Sequence, residues 1–170
     1  MTESISRMQF LSGNFGGAVP IRPPWALEED RFIECCNRCG ECITRCPHGI
    51  INEARGKFPV MDFSHAGCDF CGECVSACQP GALSFGVGEA RKPWLLKARI
   101  LENCLSLNGV ICRSCGEACE SESIRFRLHL GGKALPVIEL DSCTGCGECY
   151  AVCPVKSIAI SPLDSRDQVA

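Results

Sequence analysis

The sequence predicts an α+β fold built as two tandem modules of small β-hairpins and short helices. Three observations predict it. Cysteine accounts for 17 of 170 residues and falls into four groups. Short apolar runs of strand length flank those groups. A stretch rich in glycine and charge divides the four groups into two pairs.

Composition narrows the class before any motif is read. The hydrophobic share is 46%, but cysteine inflates it, and only 6% of residues are aromatic. A purely oily core is therefore thin for this length, so a cysteine-bound group is expected to help hold the fold. No apolar run approaches the ~18–20 residues of a membrane-spanning helix, so no membrane span is expected. The net charge of −3 gives no general attraction to nucleic acid. Ser6-Arg7 followed by Phe10-Leu11 is similar to a twin-arginine export signal, but Met8 stands where the second arginine belongs. Ser12-Gly13-Asn14-Phe15-Gly16-Gly17 is not an apolar run either. A cytoplasmic chain is expected, and in a reducing compartment so many cysteines read as metal ligands rather than disulfides.

Three of the groups share one spacing. They are Cys36, Cys39, Cys42, Cys46; Cys68, Cys71, Cys74, Cys78; and Cys143, Cys146, Cys149, Cys153. Each is C-x2-C-x2-C-x3-C, the run with which bacterial ferredoxins hold [4Fe–4S] clusters. Three thiolates at two-residue gaps wrap a loop around one cube. Gly40, Gly72 and Gly147 inside the loops let backbone approach closely. The fourth cysteine lies beyond the loop and in two-cluster proteins reaches the other cube. A single zinc ion would use two C-x2-C pairs with a longer spacer, which fits these runs less well.

The third group, Cys104, Cys112, Cys115 and Cys119, is irregular and admits two alignments. In one, Cys115-Gly116-Glu117 matches the Cys-Gly-Glu of the other groups, and Ala118 replaces a ligand. In the other, Cys119 is the remote ligand and the group reads C-x7-C-x2-C-x3-C. Five residues after the fourth cysteine stand Ile51, Leu83 and Ile158 in the regular groups, and Ile124 stands five after Cys119. That register favours the second alignment, and with it four clusters.

Near-equal gaps, 22 residues from Cys46 to Cys68 and 24 from Cys119 to Cys143, pair group one with two and three with four. With crossed ligands, Cys36, Cys39, Cys42 and Cys78 form one set and Cys68, Cys71, Cys74 and Cys46 its partner. Cys104, Cys112, Cys115 and Cys153 form a third, and Cys143, Cys146, Cys149 and Cys119 a fourth. Cys35 remains, as a packed spare thiol or an alternative ligand. Four oxidised cubes at about −2 each would carry the net charge to about −11.

The elements follow in order. Residues 1–28, rich in glycine and proline, are expected to be a flexible leader in which Trp25 beside Pro23-Pro24 could anchor a partner. Residues 29–88 form the first module, with strands at Phe58–Phe63 and Ala82–Phe85. Residues 86–93 are rich in breakers and mark the boundary. From Trp94 to Leu107, the apolar residues Trp94, Leu95, Ala98, Leu101 and Leu105 have roughly helical spacing, so a packing helix is expected. The second module, 94–163, has strands at Ile124–Leu128, Leu135–Leu140 and Ile158–Ile160, and 164–170 is a tail. Short helices are expected to begin near each fourth cysteine, with Pro47 and Pro154 just inside them. The scattered His48, His65 and His129 read as solvated. Gly86-Val87-Gly88-Glu89-Ala90-Arg91 lacks the last glycine of a dinucleotide fingerprint, and no nucleophile–base pair stands out. An electron carrier, not an enzyme, is expected.

Taken together, the four groups, the long third group, Ser6-Arg7 with Leu11-Ser12-Gly13, and Ile21-Arg22-Pro23-Pro24-Trp25 resemble the NapF family of ferredoxin-type proteins. The similarity spans nearly the whole chain. It implies a cytoplasmic accessory protein of the periplasmic nitrate reductase system. Its partner would be the catalytic molybdenum subunit, assisted before export by electron transfer or iron–sulfur chemistry. A general electron-transfer polyferredoxin is the alternative.

Overall fold

A computed structural model describes residues 20–86, 92–129 and 131–162. The chain divides into two compact units, Met1–Asp62 with Phe70–Trp94, and Phe63–Asp69 with Leu95–Ala170. Residues 1–19 of the expected leader, 87–91 of the expected boundary and the expected tail, 164–170, lie outside the described residues.

The first unit contains helices α1 (Glu29–Cys35) and α2 (Glu41–Arg45), strands β1 (Ile51–Glu53) and β2 (Pro59–Met61), and helix α3 (Glu73–Ser76). The two strands form an antiparallel hairpin with Ile51 opposite Met61. Phe32, Ile51, Phe58, Ala82 and Leu83 close on Cys42 and Cys74 to make its core. The core thus joins five aliphatic and aromatic side chains to two cysteines of the ligand loops. The expected strand at 82–85 is a single bridge, Ala26 to Leu83.

Residues 20–28 correct the expectation of a leader with an exposed anchor. Pro23 and Pro24 are fully buried and Trp25 is 8% exposed. The Trp25 N–H donates to the Pro93 carbonyl at 2.7 Å, and its ring meets Phe85 edge-on at 4.8 Å. Arg22 forks onto Glu29 at 2.6 and 3.0 Å, donates to the Pro59 carbonyl at 3.1 Å, and lies over Phe32 and Phe58. Buried area of this size costs several kcal/mol to expose, which is why the segment stays in the unit instead of projecting from it.

The second unit contains β3 (Leu96–Ile100), α4 (Ser114–Glu117), the hairpin β4 (Ile124–His129) and β5 (Lys133–Ile138), α5 (Glu148–Ala151) and β6 (Ile158–Pro162). β3 pairs antiparallel with β6, Ala98 opposite Ile160. In β4 and β5, Ile124 stands opposite Ile138, and Pro136 is tolerated because the sheet has only two strands. Ala98, Ile124 and Ile158 pack on Cys143, Cys149 and Cys153. Cys68 belongs to this unit by segment, and its N–H donates to the Cys146 carbonyl at 2.8 Å.

Two secondary-structure expectations fail. The packing helix of 94–107 is instead strand β3 followed by turns. Leu96 and Ala98 are buried while Lys97 is half-buried and Arg99 exposed, a period of two that β6 completes by pairing. The short helices do not start at the fourth cysteines; they end just before them. α2 runs from Glu41 to Arg45, ahead of Cys46. Pro47 and Pro154 therefore follow their helices, where a proline stops rather than starts one.

Candidate iron–sulfur centres

One local device builds all three regular loops. The glycine after the second cysteine adopts left-handed backbone and caps the next helix: Gly40 at φ 79°, Gly72 at 78° and Gly147 at 88°. The third cysteine then occupies the second residue of that helix and points inward, so Cys42, Cys74 and Cys149 are all buried. The residue before the second cysteine is also left-handed, at Arg38, Phe70 and Gly145. Two such residues in three curl the backbone around a central volume.

The irregular group shares the second half of this device. α4 begins at Ser114 and places Cys115 at its second residue, as α2, α3 and α5 place Cys42, Cys74 and Cys149. Three residues beyond each remote cysteine the backbone is again left-handed, at Gly49, Gly81, Glu122 and Lys156. Their N–H groups donate back to the carbonyls of Cys46, Cys78, Cys119 and Cys153 at 2.9–3.2 Å. Cys119 thus has the backbone surroundings of a fourth cysteine. Two residues later come Ile51, Leu83, Ile124 and Ile158, all 7% exposed or less. Lys156 Nζ donates to the carbonyls of Tyr150, Ala151 and Ser64.

The long excursion of group three is a folded loop. Asn108 Nδ2 donates to the carbonyls of Glu102 and Cys104, both at 2.8 Å, and the Ser106 hydroxyl donates to the Ala134 carbonyl. This returns the chain to Cys112. Cys104, Cys112, Cys115 and Cys153 then line one cavity together with Ile100, Phe126, Ser157 and Ile158. Gly116 lies where a Cβ would meet Phe126 Cε2 at 2.6 Å, so the helix can approach β4 only with glycine there.

The thiols interact across the groups. Burial pushes the Cys42 thiol up to about 12, and Cys36, Cys78, Cys74 and Cys39 add to the rise. Burial likewise lifts Cys36. Burial raises Cys74 to about 11, with Cys71 and Cys46 contributing. Cys115 rises to about 11 through burial and the charges of Cys104, Cys112 and Cys153. Cys149 rises to about 12 through burial, Cys146, Cys143, Cys115 and Cys119. Several thiolates at one spot are costly without a cation to neutralise them, which fits a ferric and ferrous cluster as the missing charge. Among the described residues, no three His, Cys, Asp or Glu side chains close up as tightly as one shared ion requires.

Two remote thiols move the other way. At Cys119 burial acts to raise the pKa, but hydrogen bonds from Ser121, Ser123 and Ile124 outweigh it and the thiol is lowered. At Cys153 the Ser157 hydroxyl and N–H, with the Val155 and Lys156 amides, again outweigh burial. The motif reading missed these serines. The available signal was serine four residues after Cys119 and Cys153, where the first half of the chain has Ile50 and Ala82.

The remaining candidates are quickly placed. Cys35 ends α1 and packs against the first core. His48, His65 and His129 are exposed. No helix among the described residues is long and apolar enough to cross a membrane.

Comparison with known proteins agrees with this geometry. Two family profiles, each described as a 4Fe-4S dicluster domain, match residues 34–83 and 110–157. The second begins after Cys104 and so takes in only the later three cysteines of group three. The chain is 37% identical to ferredoxin-type protein NapF of Haemophilus influenzae, covering 97% of this chain and 98% of that one. It is 36% identical to NapF of Escherichia coli K12, over 95% and 97%. Ferredoxin-type protein NapG of E. coli K12 is 30% identical over 85% of this chain and 71% of its own. The left-handed loops, the convergent thiols and this near full-length identity agree: the chain is an iron–sulfur electron carrier and belongs to the NapF family of 4Fe-4S ferredoxin-type proteins.

Proposed function

We propose that the chain carries four [4Fe–4S] clusters on sixteen cysteines and serves the periplasmic nitrate reductase system. In this reading it binds the catalytic molybdenum subunit in the cytoplasm and assists its maturation before export. The observation that carries the cluster count is the turn after Cys119, which repeats the turns after Cys46, Cys78 and Cys153. The shared cavity of Cys104, Cys112, Cys115 and Cys153 supports the crossed ligand set. Cys149 feels Cys146, Cys143, Cys115 and Cys119, and Cys42 feels Cys36, Cys78, Cys74 and Cys39, which supports pairing group three with four and group one with two; the individual sets then follow by spacing. The set Cys46, Cys68, Cys71, Cys74 completes the scheme by spacing, and the division into modules at 29–88 and 94–163 goes with it.

When bound, each cube takes up or releases one electron. The protein's own residues hold the sulfurs, shield them with Ile51, Leu83, Ile124 and Ile158, and point backbone amides toward them. Cys39 and Cys71 remain exposed, giving edges through which electrons can pass.

Family membership over nearly the whole chain supports the partner. The second reading is a general electron-transfer polyferredoxin, favoured by 32% identity to the methylamine utilization ferredoxin-type protein MauM of Methylorubrum extorquens. Anaerobic affinity capture separates the two. The first predicts recovery of the unexported precursor of the catalytic subunit. Recovery of mature redox partners only, with a fully metallated reductase in a deletion strain, would exclude it.

A further inference from the structure

The two halves of the chain differ in how their remote cysteines are solvated. In the second unit the Ser157 hydroxyl lies 3.4 Å from Cys153 Sγ, and the Ser157 N–H donates to the same sulfur at 3.3 Å. Ser121 Oγ lies 3.5 Å from Cys119 Sγ and 2.7 Å from Ser123 Oγ. Ser157 and Ser123 are 2% and 0% exposed. A sulfur bound to iron carries no proton, so each hydroxyl must be the donor. Ser123 then donates to Ser121, and Ser121 to Cys119. In the first unit the matching positions are Ile50 and Ala82, which carry no donor. The Leu83 N–H, at 3.3 Å, is what reaches Cys78.

These hydroxyls stand where water is excluded: Ser157 and Ser123 are buried, and so is Cys153, while Cys119 is half-buried like Cys46 and Cys78. Exposed sulfurs are hydrogen-bonded by solvent, which favours the reduced, more negative cluster; buried sulfurs forgo this, and their potential falls. We propose that Ser157 and the Ser121–Ser123 pair are positioning residues that replace that water, raising the reduction potentials of the two cubes that Cys153 and Cys119 serve. Reduction adds one electron per cube, and the hydroxyls stay in place with no proton moved. The inference rests on the ligand sets proposed above.

The test is an EPR-monitored redox titration of the full chain with its clusters, alongside iron analysis. Ser157→Ala keeps the N–H donor and removes only the hydroxyl. It is expected to lower one reductive transition by about tenfold in equilibrium constant, about 59 mV for one electron, at unchanged iron content. Ser157→Thr, which keeps the hydroxyl, restores it. Ala82→Ser adds a hydroxyl beside Cys78 and is expected to raise one transition, which decides the matter if Ser157→Ala loses its cluster. Transitions that stay in place or move oppositely, with full iron, overturn this inference alone. Fewer than four clusters in the unaltered chain overturn the ligand sets beneath it.

Discussion

Gly40, Gly72 and Gly147 occupy the same place in the same Cys-Gly-Glu-Cys sequence, yet alanine should cost very different amounts at each. All three have φ between 78° and 88°, so a side chain at any of them costs ~1–2 kcal/mol in backbone strain alone. At Gly40 an added Cβ meets nothing within 4 Å. At Gly72 it meets Phe85 Cζ at 2.7 Å, but Phe85 is 47% exposed and its ring can turn away. At Gly147 it runs into Cγ, Cδ1 and Cε1 of Phe63, the last at 2.7 Å, and Phe63 is 6% exposed with nowhere to go. That overlap adds ~1–3 kcal/mol. Cluster loss is irreversible, so the measurement is the rate of anaerobic bleaching in fixed guanidinium. The excess at Gly147 over Gly40 converts to bleaching roughly 5- to 150-fold faster, when the overlap is relieved in the unfolding transition state. Equal rates for the three variants, or Gly40→Ala the fastest, would refute the packing argument.

Other outcomes follow from the same contacts. Arg22→Ala should cost about 2 kcal/mol, read as anaerobic bleaching roughly 30-fold faster in the same guanidinium assay, and Arg22→Lys should recover only part because it lacks the fork to Glu29. Cys35→Ser should leave iron content unchanged, since the cysteine packs at the end of α1 outside the four sets. The raised thiols give two opposite pH dependences. In the cluster-free chain Cys42, Cys74, Cys115 and Cys149 favour the protonated fold; that contribution is intact below 9.0 and is lost as pH rises toward about 11 to about 12. Cluster binding needs thiolates, so reconstitution should release protons and strengthen as pH rises from about 6 to about 8, measured by anaerobic titration in buffers of different ionisation enthalpy.

The ligand loops were legible because their chemistry fixes both residue type and spacing. Ile51, Leu83, Ile124 and Ile158 served in the sequence only as register marks; that all four are buried follows from the turn after each remote cysteine, which sets the distance to the core. What escaped depends on pairing and packing across the chain. Trp94–Leu107 has a helix-like apolar pattern, but β6 supplies a partner strand, and period two prevails. Pro23-Pro24-Trp25 looks like an exposed anchor until Phe70, Phe85 and Pro93 are seen against Trp25. The difference between Gly40 and Gly147 lies wholly in Phe63, which is remote in sequence. The serines at Cys119 and Cys153 were visible as letters, but their role needed the 3.4–3.5 Å approach to sulfur.

The central claim is that group three, with Cys104 across its folded loop, completes a fourth cube. Anaerobic iron and sulfide analysis of the unaltered chain and of Cys104→Ala tests it most directly. About 16 iron atoms per chain falling to about 12 in the variant is the expected result. About 12 in both would contradict it and return Cys104 to the ranks of ordinary buried thiols.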